Sequence, residues 1–405
     1  MNRRRVAITG IGLVSALGTT RESTWAAMLE GRCGIGPVTA FDATGYRSHV
    51  AGEVPMRDFD LHFSPLERRR WSRADRFGVL AADEALSDSG VLASGVDPRR
   101  VGVMLGAGTA DLLRNEDYFF TTITDGIERA RPSLAWNHFA STPGDVIAQR
   151  HQLEGQRACI VAACSSSTIA IGQAVDAIRL GRLDAVVTGG TDALARLTYS
   201  GFNALRLMDE APCRPFDRSR NGMNIGDGAG MLILEEMERA RRRGARIYGE
   251  LAGHAAACEA FHPTAPEPEG RPVTAVVRAA LADAHLDADA VDHVNAHGTA
   301  TPQNDRAEAR AFGNAFGDRA SRLPVTSLKS MIGHCLGAAG ALEACVLALT
   351  VSRGVIPPTI NHTETDADCR IDIVANNARE IRVAAGLSTS LAFGGNDSAV
   401  IITAV

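Results

Sequence analysis

Lysine is all but missing from this 405-residue chain: 41 of its 42 basic residues are arginine, and Lys329 is the exception. A genome that prefers arginine could leave one lysine anywhere. This one lies five residues before His334 in a glycine-framed segment, and lysine differs from arginine in being a compact point charge with a tunable pKa, so Lys329 is read as functional. Strong charge of either sign is also missing. A net charge of −5 with 22% charged residues creates no global attraction for nucleic acid, which is set aside as a partner. The eight cysteines include no Cys-x-x-Cys pair, so neither a disulfide framework nor a zinc cage is supported. No apolar run approaches the roughly 18 residues that cross a bilayer. The basic start Arg3-Arg4-Arg5 leads into Val6-Ala7-Ile8-Thr9-Gly10 without a small-residue cleavage site, which reads as a first β-strand and not a signal peptide. The expectation is a cytoplasmic protein with no membrane partner.

With 45% apolar residues, a chain of this length can bury a large core in two domains or one doubled domain. Short apolar runs alternate with helical patterns from end to end, which predicts an α/β protein with buried sheets. Strands are expected at 6–9, 101–105, 158–162, 185–188, 230–234, 247–257, 293–296, 386–391 and 399–403; helices are expected at 73–89, 165–180, 272–284, 305–316 and 338–352. Gly108-Thr109-Ala110 after one apolar strand echoes Gly298-Thr299-Ala300 after another, which suggests two related halves. The charged stretch Glu235–Arg243, read as a helix ending at Gly244, places the seam near 250: residues 1–250 hold Cys164, and 251–405 hold His297 and His334. Gly10-Ile11-Gly12 lacks the third glycine and the acidic residue of a dinucleotide fingerprint and is read as a tight strand exit. The proline-bearing segment His262–Arg271 is read as a loop or lid edge.

Three residues carry the chemistry. Cys164 ends an apolar run and opens a small-residue helix in Ala163-Cys164-Ser165-Ser166-Ser167. A helix start and nearby cations lower a thiol pKa, so Cys164 is expected to be a reactive thiolate, whereas Cys159, Cys258 and Cys345 are read as small buried hydrophobes. His297 stands in Asn-Ala-His-Gly-Thr-Ala-Thr and His334 in Lys-Ser-Met-Ile-Gly-His-Cys-Leu-Gly-Ala-Ala-Gly. Alone, either would more often be structural. Two imidazoles in glycine-framed turns beside an activated thiol suit carbon–carbon bond formation on thioesters, where each can hydrogen-bond a developing oxyanion. A metal site is the weaker reading, since no His-Glu-x-x-His spacing occurs.

Together with Arg214-Pro215-Phe216-Asp217-Arg218, Asn221-Gly222, Gly226-Asp227-Gly228-Ala229-Gly230 and Phe393-Gly394-Gly395, these motifs make the chain resemble the β-ketoacyl synthases of the condensing-enzyme superfamily. The resemblance is to the elongating, synthase II-like Cys-His-His type that includes the ketosynthase subunits of type II polyketide synthases. It implies a thiolase-like five-layered αβαβα sandwich of two pseudo-repeated halves, and a decarboxylative Claisen condensation with malonyl-acyl carrier protein that extends the acyl chain by two carbons. By this resemblance Cys164 holds the acyl chain, with its own N–H and that of Phe393 as oxyanion hole, while His297 and His334 hydrogen-bond the malonyl carbonyl. Lys329 and Glu343 order the His334 region, and Glu308 supports the His297 loop. Thr299, Thr301 and Thr264 would hold the phosphopantetheine arm, and Arg68 and Arg69 would dock the acidic carrier protein. No cofactor is implied beyond that carrier-borne arm. The partners implied are acyl carrier protein and a second subunit, in a homodimer or a heterodimer with a chain-length-factor paralogue.

The chain departs from the family in two places. Leu391-Ala392 precedes Phe393-Gly394-Gly395 where relatives often carry Phe-Gly, at the gate that senses acylation. Thr109 falls where primary fatty-acid synthases commonly have a bulkier limit to the acyl pocket, so longer chains are expected to fit. Two competing readings are a degradative thiolase, which would need a second catalytic cysteine, and a chain-length factor, which would lack the nucleophile. The presence of Cys164, His297 and His334 argues against the chain-length factor, and dependence on malonyl would separate the thiolase.

Overall fold

The computed structural model describes residues 3–135 and 139–405. Its frame runs β1 (Val6–Val14), α1 (Arg73–Ser89), β2 (Val101–Gly106), α2 (Thr142–His151), β3 (Arg157–Ile160), α3 (Ser166–Arg179), β4 (Ala185–Asp192) and β5 (Gly228–Glu236) in the first half. The second half runs β6 (Gly249–Cys258), α4 (Arg271–Ala284), β7 (His293–Asn295), α5 (Pro302–Phe316), β8 (Pro324–Thr326), α6 (Ala339–Arg353), β9 (Ala385–Ser390) and β10 (Asn396–Thr403).

The halves repeat one topology. The first sheet is ordered β3-β2-β4-β5-β1 and the second β8-β7-β9-β10-β6, with the short strand Asp372–Ile373 added in parallel beyond β8. In each, the first three strands are parallel and the last two antiparallel. Among the described residues the sheets join where Ala7 and Ile8 of β1 pair with Glu250 and Gly249 of β6. Helices α3 and α6 pack on each other and on strands of both sheets, whereas α1 with α2, and α4 with α5, each cover one outer face. The result is the five-layered αβαβα sandwich.

Strand alternation builds this layering. Leu232 and Leu234 of β5, and Val400 and Ile402 of β10, face the central core with Ile171 and Val175 of α3 and Leu342 and Val346 of α6. Their neighbours Met231 and Ile233 face one outer core with Phe77, and Ala399 and Ile401 face the other with Phe312. Side chains that alternate across a sheet buried on both faces need exactly this near-continuous apolar sequence. Helix α6 is apolar all round because it lies between sheets. The segment Leu336–Arg353 is long and apolar enough to cross a membrane by composition, contrary to the expectation of no such run, but it is a buried core helix.

Several local expectations are corrected. Gly10 and Gly12 lie inside β1, not at its exit; a Cβ at Gly12 would stand 1.9 Å from Ala81 O of α1, so the glycines permit close helix–strand packing. Glu235 belongs to β5 and pairs with Arg239 and Arg243, while the following helix is only Met237–Arg242. Of the cysteines read as buried, Cys345 is buried, Cys159 half-buried and Cys258 exposed. The Gly-Thr-Ala echo is real: the equivalent strands β2 and β7 are each followed by an alanine in the left-handed region, Ala110 at φ 51° and Ala300 at φ 65°.

Gly12→Ala should force β1 and α1 apart by backbone collision and destabilise the fold by about 3 kcal/mol. An equilibrium denaturant titration checks this through the loss in transition midpoint at unchanged slope.

Candidate active site

Cys164 sits on a strand-to-helix elbow between β3 and α3, where Ala163 takes a left-handed φ of 47°. The serines after it fasten the elbow. Ser165 Oγ donates to Ser390 O at 3.0 Å and to Asn396 O at 2.5 Å, while Ser166 Oγ donates to Ala163 O at 2.6 Å. Ser167 Oγ accepts from Ala341 N of α6 at 2.9 Å. The nucleophile of the first half is thus held by the ends of β9, β10 and α6 in the second.

His297 follows β7, and its backbone N–H donates to Glu308 at 2.7 Å, beside Gly298 N–H at 2.8 Å and Thr389 Oγ1 at 2.7 Å. His334 follows Gly333, whose φ is 71°, and donates its backbone N–H to Asn224 O at 2.7 Å. Folding brings His334 Nε2 within 2.9 Å of Cys164 Sγ, and the two imidazole rings meet edge to face with centroids 5.3 Å apart. The Phe393 N–H bonds the Cys164 sulfur. Behind this group Lys329 and Glu343, each 2% exposed at the side chain, form a short ion pair.

A cavity of about 280 Å³ opens over the thiol and is also lined by His297, His334, Thr264, Thr299, Thr301, Leu391 and Phe393. Thr299 and Thr301 join their hydroxyls at 2.9 Å. Lys329, Glu343 and Thr109 do not line it. Arg68 and Arg69 are exposed on the short helix Pro65–Arg70, where Arg114 binds their carbonyls.

Burial dominates the electrostatics. It pushes the Cys164 thiol up to about 12, with Lys329 and the Phe393 N–H pulling it down. This corrects the expectation that the helix start lowers the thiol pKa: desolvation outweighs it. Burial, with Lys329 second, holds His297 and His334 well below the ordinary imidazole range. Both rings are therefore neutral near neutral pH, and each can present one N–H to a substrate oxygen. Burial also pushes Glu308 and Glu343 up to about 7, against the N–H groups and the ammonium that hold them down.

The ligating atoms of Cys164, His297 and His334 lie within 4.8 Å of one another, a convergence the linear sequence did not reveal. Metal-bound histidines normally donate their second N–H to a partner, but both Nδ1 atoms lack one among the described residues. The Lys329 charge would also repel a cation. The donor set suits thiol and imidazole chemistry.

Sequence reading overlooked Asp192, at the end of β4. It accepts the N–H groups of Gly108, Thr109 and Ala110 at 2.6, 2.9 and 2.7 Å and that of Gly337, and burial pushes it up to about 6. The available signal was an acid closing the strand Gly189-Gly190-Thr191-Asp192 at its carboxyl end. Asn224, which fixes the His334 backbone, had no local signal.

A doubled αβαβα fold with a buried thiol and two neutral imidazoles at the junction of its halves defines a condensing-enzyme architecture. Residues 3–240 match the beta-ketoacyl synthase N-terminal domain, and residues 248–363 match the C-terminal domain. The chain is 38% identical to a 3-oxoacyl-[acyl-carrier-protein] synthase 2 of Synechocystis sp., covering 98% of this chain and 97% of the relative. It is also 38% identical to the tetracenomycin polyketide synthase ketoacyl synthase alpha subunit of Streptomyces glaucescens, with the same coverage. Among solved structures, the ishigamide ketosynthase/chain length factor superposes with a TM-score of 0.94 at 35% identity over the whole of both chains. A type II polyketide acyl-carrier protein complex with its ketosynthase gives 0.92 at 30% identity, again over the whole of both. The chain belongs to the β-ketoacyl synthase family.

Alkylation of Cys164 by iodoacetamide should accelerate up to and beyond about pH 9, without a plateau near neutrality. Peptide mass mapping separates this site from the exposed Cys33 and Cys258. Lys329→Met should slow Cys164 alkylation further at each pH, because the charge that lowers the thiol pKa is gone.

Proposed function

We propose that this chain catalyses the decarboxylative Claisen condensation of an acyl chain with malonyl-acyl carrier protein, in fatty-acid or type II polyketide synthesis. The reading rests on one observation above all: Cys164, His334, His297 and the Phe393 N–H converge on one pocket. In the loading step the Cys164 thiol attacks the acyl thioester, its proton passes by way of His334 to the departing carrier thiolate, and the acyl chain moves to sulfur. The N–H groups of Cys164 and Phe393 stabilise the tetrahedral oxyanion. In the second step His297 and His334 donate to the malonyl thioester oxygen. The C–C bond to the carboxylate breaks, CO₂ leaves, and the enolate attacks the acyl carbonyl. Cys164 departs as thiolate and takes up a proton.

In this scheme Lys329 and Glu343 are positioning residues behind His334. Thr264, Thr299 and Thr301 hold the pantetheine arm, Leu391 belongs to the gate, and Thr109 bounds the acyl pocket. Arg68 and Arg69 offer an exposed basic face to an acidic carrier protein. The seam between halves falls near residue 250. A paired state has its own support: Phe119, Phe120 and Ile123 of the helix Leu112–Asp125, with Ile127 and Phe139, are 52–83% exposed. They lie in the half whose sheet ends at the unpaired edge of β3. A second copy or a chain-length-factor paralogue would cover that apolar surface.

Cys164→Ala should give no acyl adduct with acyl-carrier protein by intact-protein mass spectrometry while unfolding as wild type does. His297→Ala should still load acyl chains but lose about 10²–10³-fold in condensation rate, the usual loss for one oxyanion donor. Full condensation by Cys164→Ala would refute the assignment.

A further inference from the structure

At the end of β6 and the start of β10, two carboxyl groups face the pocket, and no cation among the described residues pairs with either. Pairing sets Ala257 opposite Asp397 and Cys258 opposite Asn396, and the Glu259 N–H donates to Gly395 O at 2.7 Å. Glu259 and Asp397 are therefore diagonal neighbours on one face. Opposite Glu259 stands Gly395, where a Cβ would come within 2.9 Å of Glu259 Cβ, so no side chain separates the acids. Both line the cavity that holds Cys164, His297 and His334. Asp397 is 2% exposed and hydrogen-bonds the Glu259 carboxyl, while its Oδ2 has no partner among the described residues.

Ionised carboxylates only accept hydrogen bonds. A bond between two carboxyls therefore needs a proton held between them, as like charges in contact do not both ionise near neutrality. The charged groups facing Asp397 are Glu259 on β6 and Glu308 on α5. Glu308 is committed to the His297 loop and Thr389, and Glu259 also accepts the Glu267 N–H at 3.0 Å. Arg271 is paired with Glu267, and Lys329 with Glu343. His262, across the pocket, uses Nδ1 to accept the N–H groups of Thr264 and Ala265. Burial, then the Glu259 charge, pushes Asp397 up to about 9.

We propose that Asp397 keeps a proton directed at Glu259 and that the two acids thereby set the charge of the channel wall, making them specificity-determining residues for the anionic malonyl extender. With the proton in place the pair carries one negative charge; without it, two. A malonyl thioester is an anion and an acyl thioester is not, so the second charge opposes only the extender. This inference rests on the ketosynthase reading above.

The test measures KM for malonyl-carrier and acyl-carrier protein from about pH 7 to about pH 10, taking their ratio so that carrier docking cancels. In wild type the ratio should rise about fivefold, the order expected for one added charge at pocket distance. It should stay flat in Asp397→Asn, whose amide donates to Glu259 without titrating, and in Glu259→Gln. A flat wild-type ratio, or an equal rise in both variants, overturns the proposal. Independently of turnover, an infrared band of a protonated carboxyl should persist near pH 8, above the values of about 6 for Asp192 and about 7 for Glu308 and Glu343. It should weaken in both variants, and its absence from wild type also overturns the proposal. If the band is present but Cys164 takes up no acyl chain, the ketosynthase reading fails and the Asp397 proton stands.

Discussion

Close approach of α3 and α6 between the two sheets is the constraint on which the site depends. It is possible because Gly340 has no side chain: a Cβ there would stand 1.9 Å from Thr168 Oγ1. Thr168 in turn bonds Ser390, and Ser167 bonds the α6 backbone. The nucleophile belongs to one half and both imidazoles to the other, so a few tenths of an ångström at this crossing would separate His334 Nε2 from Cys164 Sγ. Chemistry of this kind tolerates little misplacement. The repeated topology supplies a rigid junction, and Ser165 and Ser167 of the elbow commit their hydrogen bonds to it instead of to capping α3.

The same burial explains why a chain so rich in arginine keeps one lysine. The space behind His334 holds a compact ammonium in contact with Glu343, both withdrawn from water. A guanidinium is larger and forked, and it would need further acceptors there. Removing either partner would leave a buried charge uncompensated, at a cost of about 3–5 kcal/mol. The pair also acts at a distance, since the Lys329 charge lowers both imidazoles and the thiol together. It thus keeps the histidines neutral and partly offsets what burial does to the cysteine.

The architecture was largely legible because strands buried on both faces read as apolar runs and long amphipathic helices keep their period. Helix α1 spans 73–89 as expected. The three-residue strand β8 was missed because it is too short to show a period. Helix Leu112–Asp125 was missed; Leu113 packs on a core cluster, while Phe120 and Ile123 of its apolar face are left exposed. Cys164, His297 and His334 were legible through their glycine and serine frames. The ionisation state of Cys164 was not, because the helix start is local in sequence while the burial that overrides it arises only once the chain is folded. Gly10 and Gly12 were misread for the same reason, since the helix they accommodate is visible only in three dimensions. Asp192 was overlooked because its partners, Gly108 to Ala110 and Gly337, come from two distant segments.

A thiol with a raised pKa looks ill suited to nucleophilic catalysis until its whole cycle is considered. Burial disfavours the thiolate at both ends of the cycle but leaves the neutral acyl thioester untouched, so it favours the acylated form over the free anion. A more basic sulfur is also the better nucleophile and the poorer leaving group. The chain is thereby retained until a strong carbon nucleophile arrives, and premature loss to water is slowed. What must then be supplied is stabilisation confined to the moments when charge is on sulfur or oxygen. The Phe393 N–H, the Lys329 charge and the two neutral imidazoles meet that need, because they are fixed dipoles and charges aimed where charge develops, not groups that stabilise the resting state.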